Sequence, residues 1–159
     1  MPRKKVPGNS SRADTQITTV VVVGLNAEDQ ASLKQILGFS PCGHAPGCKW
    51  RVQSEIGVDA VLEAVRREPV AFVVFDRDYL ADAWKGLIDR LAGLPHPPEL
   101  IVTSRLADDR FWAEALNLGA YDVMVKPFDA AEVARIASLA CTHWHRRPAL
   151  RTRAMGSVA

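Results

Sequence analysis

Two rhythms of apolar residues alternate along this chain. The first is the uninterrupted run: Ile17 to Val23 is almost wholly β-branched and predicts an interior strand. The second has helical spacing: from Asn26 to Leu37 the apolar positions are Leu33, Ile36 and Leu37, while Glu28, Lys34 and Gln35 fall on other faces. Asn26 followed three residues on by Asp29 has the form of a capping box, and Gly38 closes the helix. Phe39 to Lys49 contains two prolines and two glycines and reads as a loop.

The alternation then repeats. Trp50 to Ser54 alternates large and polar side chains as an edge strand does, and Val58, Val61, Leu62 and Val65 form a helical stripe that ends before Pro69. Ala71 to Phe75 carries no charge and predicts a strand buried on both faces, ending abruptly in Asp76. Trp84, Leu87, Ile88 and Leu91 make the third helix, stopped by Gly93 and the turn at Pro95 to Pro98. Leu100 to Thr103 is the fourth strand, and Phe111, Trp112, Ala115, Leu116 and Leu118 belong to a fourth helix that Gly119 terminates. Val123 to Val125 is the fifth strand, preceded by Tyr121. Val133, Ile136, Ala137, Ala140, Cys141 and Trp144 mark the fifth helix. Five strands alternating with five helices through short connections predict an α/β fold: a five-stranded parallel sheet covered by helices on both faces.

Charge changes this picture only at the ends. Residues 1–16 sum to +3 and residues 146–159 to +4, so the net charge of +2 hides a body of −5. The expected organisation is a flexible basic leader over 1–16, one domain over 17–145 and a flexible basic tail over 146–159. No basic helix or aromatic-basic interleaving argues for nucleic acid. No apolar run is long enough to span a membrane, and three cysteines without a secretory signal point to a reducing cytoplasm. After the first strand, Gly24 supplies only the first position of a dinucleotide fingerprint, and no phosphate-binding P-loop follows.

Three spacings converge on Asp76. Thr103 and Ser104 end the fourth strand, and Lys126-Pro127-Phe128 follow the fifth, Lys126 lying 50 positions after Asp76. With Gly119-Ala120-Tyr121-Asp122 ahead of it, this pattern resembles the receiver domain of two-component response regulators, over roughly Ile17 to Trp144. The run from Ile101 to Phe128 also resembles a group of stand-alone, atypical receivers. The resemblance implies a flavodoxin-like fold in which Asp76 accepts a phosphoryl group from a histidine kinase, Thr103 or Ser104 binds the phosphate and Lys126 neutralises it. It implies a signalling module rather than an ordinary enzyme. Such chemistry is mostly positioning and neutralisation of charge on the transferred oxygens, with a divalent metal normally supplying part.

The chain departs from that family in ways that bear on its chemistry. Receivers usually carry an acidic pair after the first strand to hold Mg²⁺, and those positions are Gly24 and Leu25. Asp76 and Asp78 remain as oxygen donors, with Asn26, Glu28 or Asp29 as candidates to compensate. Lys126 has a second reading beside phosphate neutralisation, a structural ion pair with Asp76 that compensates a charge no metal neutralises. The family's aromatic switch position is Val123, with Tyr121 two residues deeper on the same face. Trp84 stands where Gly is usual and Leu80 where Pro is common, so the loop beside Asp76 should be reshaped. These departures favour an atypical receiver working through protein interaction, with weak or absent phosphorylation. A conventional Mg²⁺-dependent receiver and a flavodoxin-like ligand- or metal-binding protein are the alternatives.

Two further constellations remain. Cys42, His44, Cys48, Cys141 and His145 are a Zn²⁺ candidate set, although their spacing matches no common zinc module. Phe111 and Trp112 lie on the fourth helix, whose face with strand five serves partner binding and dimerisation in the receivers this chain resembles. Either would anchor a partner, or a second copy, if exposed. Fifteen residues follow Trp144, so output is expected to run through a separate protein.

Overall fold

A computed structural model describes residues 15–42 and 46–148. The strands are β1 (Ile17–Val23), β2 (Lys49–Glu55), β3 (Phe72–Asp76), β4 (Glu99–Ser104) and β5 (Asp122–Val125). They form one parallel sheet in the order β2-β1-β3-β4-β5, so the charge-free run is the central strand. All five residues of β3 are buried, as its composition requires. At the edge, β2 keeps Lys49, Arg51 and Ser54 exposed.

The helices are α1 (Ala27–Gly38), α2 (Val58–Arg67), α3 (Arg77–Leu80), α4 (Ala83–Ala92), α5 (Asp109–Leu118) and α6 (Ala130–Arg146). Residue alternation along the strands builds two cores. Val21, Val73, Phe75 and Val102 meet α2, α4 and α5 around the fully buried Trp84, whose ring lies 5.9 Å from Phe111 in an edge-to-face pair. Val22, Phe72, Val74 and Ile101 face the other way, onto Leu33 and Leu37 of α1 and the apolar stripe of α6.

Several local expectations change. The single turn α3 is an additional helix, started by Asp76, whose side chain accepts the Asp78 amide. Only half of the expected capping box forms: Asn26 Oδ1 accepts the Asp29 amide at 2.7 Å, but the Asp29 carboxylate turns inward instead of back. Gly38 is the last helical residue and Phe39 the cap. By contrast Gly119 terminates α5 in the left-handed region, at φ 109°, where glycine carries no Cβ penalty.

The chain also runs regularly past the expected boundary at 145. Arg147 Nη1 donates to the buried Glu99 carboxylate at 3.0 Å, and His143 Nδ1 lies 2.7 Å from the same oxygen. His96 stacks on Trp144 with ring centroids 4.4 Å apart. Most of the proposed leader and tail, residues 1–14 and 149–159, lies outside the described residues. Among the described residues no helix is long and apolar enough to cross a membrane.

Candidate functional site

The carboxyl ends of β3, β4 and β5 bring Asp76, Ser104 and Lys126 to one edge of the sheet. Register puts Asp76 opposite Thr103, and the Lys126 amide donates to the Ser104 carbonyl at 3.0 Å. The Lys126 side chain, 3% exposed, extends into this edge and meets three carboxylates. It is ion-paired with Asp76, lies 3.2 Å from Asp78 Oδ2 and 3.4 Å from Asp29 Oδ2. Asp29 reaches it because Asp29, Leu33 and Leu37 share the buried stripe of α1 at steps of four. The pairing of Lys126 with Asp76 is thus present, enlarged by two further acids.

One ammonium among three carboxylates leaves an excess of negative charge. Burial raises the pKa of Asp76, outweighing the Lys126 and Asp78 contacts that lower it. Burial also disfavours the charged form of Lys126, but the hydrogen bonds and charges of Asp76 and Asp78 more than offset this and raise its pKa. The two directions agree physically: Lys126 stays protonated, and Asp76 is a carboxylate that takes up a proton more readily than usual. Asp78 behaves oppositely. Its partial burial is outweighed by the Arg105 amide, the Ser104 hydroxyl and Lys126, which hold its pKa below the usual range.

The hydroxyl that joins the cluster is that of Ser104, not Thr103. Ser104 Oγ donates to Asp78 Oδ1 at 2.9 Å and accepts the Leu106 amide at 3.1 Å. Thr103, level with Asp76 in the register, is fully buried, and its Oγ1 has no hydrogen-bond partner among the described residues. The sequence left the two hydroxyls as alternatives because strand position alone does not tell which one reaches past the sheet edge. Pro127 follows Lys126 through a cis peptide bond and is exposed. Tyr121 is outside the cluster; half-buried, it packs on the α1–α6 side with its ring 5.5 Å from His143.

Magnesium requires several oxygen ligands in near-octahedral array. Gly24 and Leu25 offer no side-chain oxygen, and Asn26 is engaged in capping α1. Gly24 has φ 79°, and a Cβ on it would lie 2.8 Å from Cδ1 of Tyr79, which covers the place an acidic side chain would need. The oxygens of Asp29, Asp76 and Asp78 already turn to Lys126. Among the described residues no group of three His, Cys, Asp or Glu is placed to hold a metal ion. The residues present do not fit a divalent cation at this edge.

The zinc candidates converge only in part. Cys42 and Cys48 flank the loop before β2, and Cys141 comes from α6. All three approach Thr18, whose Oγ1 is 3.1 Å from Cys48 Sγ. Burial pushes the Cys42 thiol up to about 12 and the Cys141 thiol up to about 11, so both are held as protonated, apolar-packed thiols. His145 sets its ring edge against Trp144. His44 lies outside the described residues. On α5, Phe111 is buried, with the Arg77 guanidinium 4.0 Å above its ring, and is therefore no surface anchor. Trp112 is half-buried against the core, and the exposed large apolar residues of α5 are Leu116 and Leu118.

No protein-family model matches the chain, and no curated protein matches it. Solved structures do. The signal receiver domain of an HD domain-containing protein from Pseudomonas fluorescens Pf-5 superposes with a TM-score of 0.64 at 18% identity, covering 83% of this chain and 100% of that one. The response regulatory domain of mrkE from Klebsiella pneumoniae gives 0.63 at 15%, covering 82% and 100%. The receiver domain of a signal transduction histidine kinase from Syntrophus aciditrophicus gives 0.63 at 16%, covering 82% and 95%. The fold is that of response-regulator receiver domains, the flavodoxin-like arrangement expected from the alternation of elements.

Proposed function

We propose that this chain is an atypical receiver that acts in the cytoplasm as a signalling interaction module, with Asp76 phosphorylated weakly or not at all. The observation that carries this reading is the engagement of Asp76. Its carboxylate is buried, paired with Lys126 and bonded to the Asp78 amide, in a cluster without ligands for a metal. An acyl phosphate formed there would add charge to an edge already rich in it. Partner choice then falls to the surface. Leu116 and Leu118, each 46% exposed on α5, and Leu106 just before it offer apolar contact to a histidine kinase, a downstream protein or a second copy.

Incubation with acetyl phosphate and Mg²⁺, read by intact mass, tests the reading. The expected result is an unmodified chain. Stoichiometric addition of a phosphoryl group that disappears in Asp76→Asn would establish a conventional phosphoaccepting receiver instead.

A further inference from the structure

Asp78 is held by three donors of different kinds. Ser104 Oγ donates to its Oδ1 at 2.9 Å, the Arg105 amide donates to its Oδ2 at 2.9 Å, and Lys126 Nζ is 3.2 Å from that second oxygen. A hydroxyl, a backbone amide and an ammonium converging on two oxygens form an oxyanion cradle, since charge-assisted donors of this kind are the strong ones. The cradle belongs to the ends of β4 and β5. Its occupant comes from elsewhere, on the single turn α3.

The occupant is also the least anchored member of the cluster. The Asp78 side chain is 34% exposed, against 2% for Asp76 and 3% for Lys126. No residue of α3 is buried, and the turn ends at Ala81, a non-glycine residue at φ 43°. α3 touches its surroundings through the half-buried Leu80, through Tyr79 over Gly24 and through Arg77 over Phe111, a looser hold than the wholly buried β3 has. On its solvent side Asp78 borders an open groove of mixed charge, in which Arg77 and Arg110 stand beside Asp108 while Lys85 pairs with Asp82 and Glu114, so the site is reached from solvent.

We propose that Asp78 is an intramolecular occupant of an oxyanion site made by Ser104 Oγ, the Arg105 N–H and Lys126 Nζ, and that a tetrahedral oxyanion of the phosphate class enters only when Asp78 leaves. Exchanging one anion for another leaves the charge around Lys126 similar, so Asp76 and Asp29 are no harder to accommodate than before. The proposal rests on the receiver reading, which already gives phosphate binding to a hydroxyl at the end of β4 and to Lys126; what it adds is that Asp78 occupies this site and must leave it first.

The test uses the full chain, inorganic phosphate at slightly acidic pH, where the monoanion dominates, and the amide NMR signal of Arg105. In the wild type this signal shows no saturable shift over the range that saturates Asp78→Ala, and apparent affinity rises about tenfold or more once the occupant is gone. Adding Ser104→Ala to that variant weakens binding again. Equal responses in wild type and Asp78→Ala, or none in a folded Asp78→Ala, would overturn the proposal. Should Asp78→Ala fail to fold, Asp78→Asn keeps the shape but loses the charge that holds Lys126. It must respond to phosphate more strongly than wild type, and an equal response overturns the proposal. Inorganic phosphate does not phosphorylate Asp76, so this outcome is independent of the acetyl phosphate result: a modified Asp76 overturns the functional reading alone, and a silent Arg105 amide overturns the occupancy alone.

Discussion

Lys126 carries the electrostatics of the site, and its removal should expose what it does. A Lys126→Met chain leaves Asp29, Asp76 and Asp78 facing one another without a cation, and unpairing buried charge of this kind typically costs about 3–5 kcal/mol. Denaturant titration at neutral pH should show that loss, shrinking as pH falls and the carboxylates protonate. Asp76→Asn should do the reverse. The folded-state pKa of Asp76 lies above its unfolded value of 3.8, so between the two the folded chain holds a proton that the unfolded chain has released. Stability from this group therefore falls as pH rises through the folded pKa, and at neutral pH the buried charge is a net burden. Asp76→Asn, a neutral mimic of the protonated acid, should melt higher than wild type at neutral pH, with the gap closing as pH drops toward 3.8. A lower melting temperature for the variant at neutral pH would mean that the Asp76–Lys126 pair outweighs its desolvation.

At the scale of elements, the edge of the sheet is shaped by α3 and the turn after β1. Tyr79 of α3 packs over Gly24, and Gly24 has a backbone conformation that L-residues adopt at a cost. Gly24→Ala should therefore cost about 1–3 kcal/mol, and in a Tyr79→Ala background the steric share should disappear while the backbone share remains. A purely additive pair of effects would contradict the contact. On the opposite side of the central strand, Trp84 is fully buried where α4 meets α5. Trp84→Ala should cost about 3–5 kcal/mol, because no neighbouring element can collapse into so large a space. Between Asp76 and α4 the chain forms the one-turn α3, joined to α4 through Ala81 and Asp82.

Across the whole molecule, the strands and long helices were legible because each has a period of its own. Val20 to Val23 and Phe72 to Phe75 have to be buried on both faces, and the stripes of α2, α4 and α6 have to meet them. The candidate site was legible only as far as Asp76, Lys126 and a hydroxyl. Asp29 carried a usable signal, an acid on the core stripe with Leu33 and Leu37, yet its cap position offered a simpler role. The cradle around Asp78 had no such signal. It depends on a four-residue helix, a backbone amide and the choice between Thr103 and Ser104, which long-range packing decides and local periodicity does not. The three thiols were gathered, but around Thr18, a placement that their spacing in the sequence did not show.

Lys126 is the cation that neutralises Asp76, at an edge whose residues do not fit a metal. Titrating the full chain with Mg²⁺ while following the backbone amides of Gly24, Leu25, Asp76 and Asp78 tests this most directly. The expected result is no saturable shift at millimolar Mg²⁺. A saturable shift at these amides that vanishes in Asp76→Asn would contradict it.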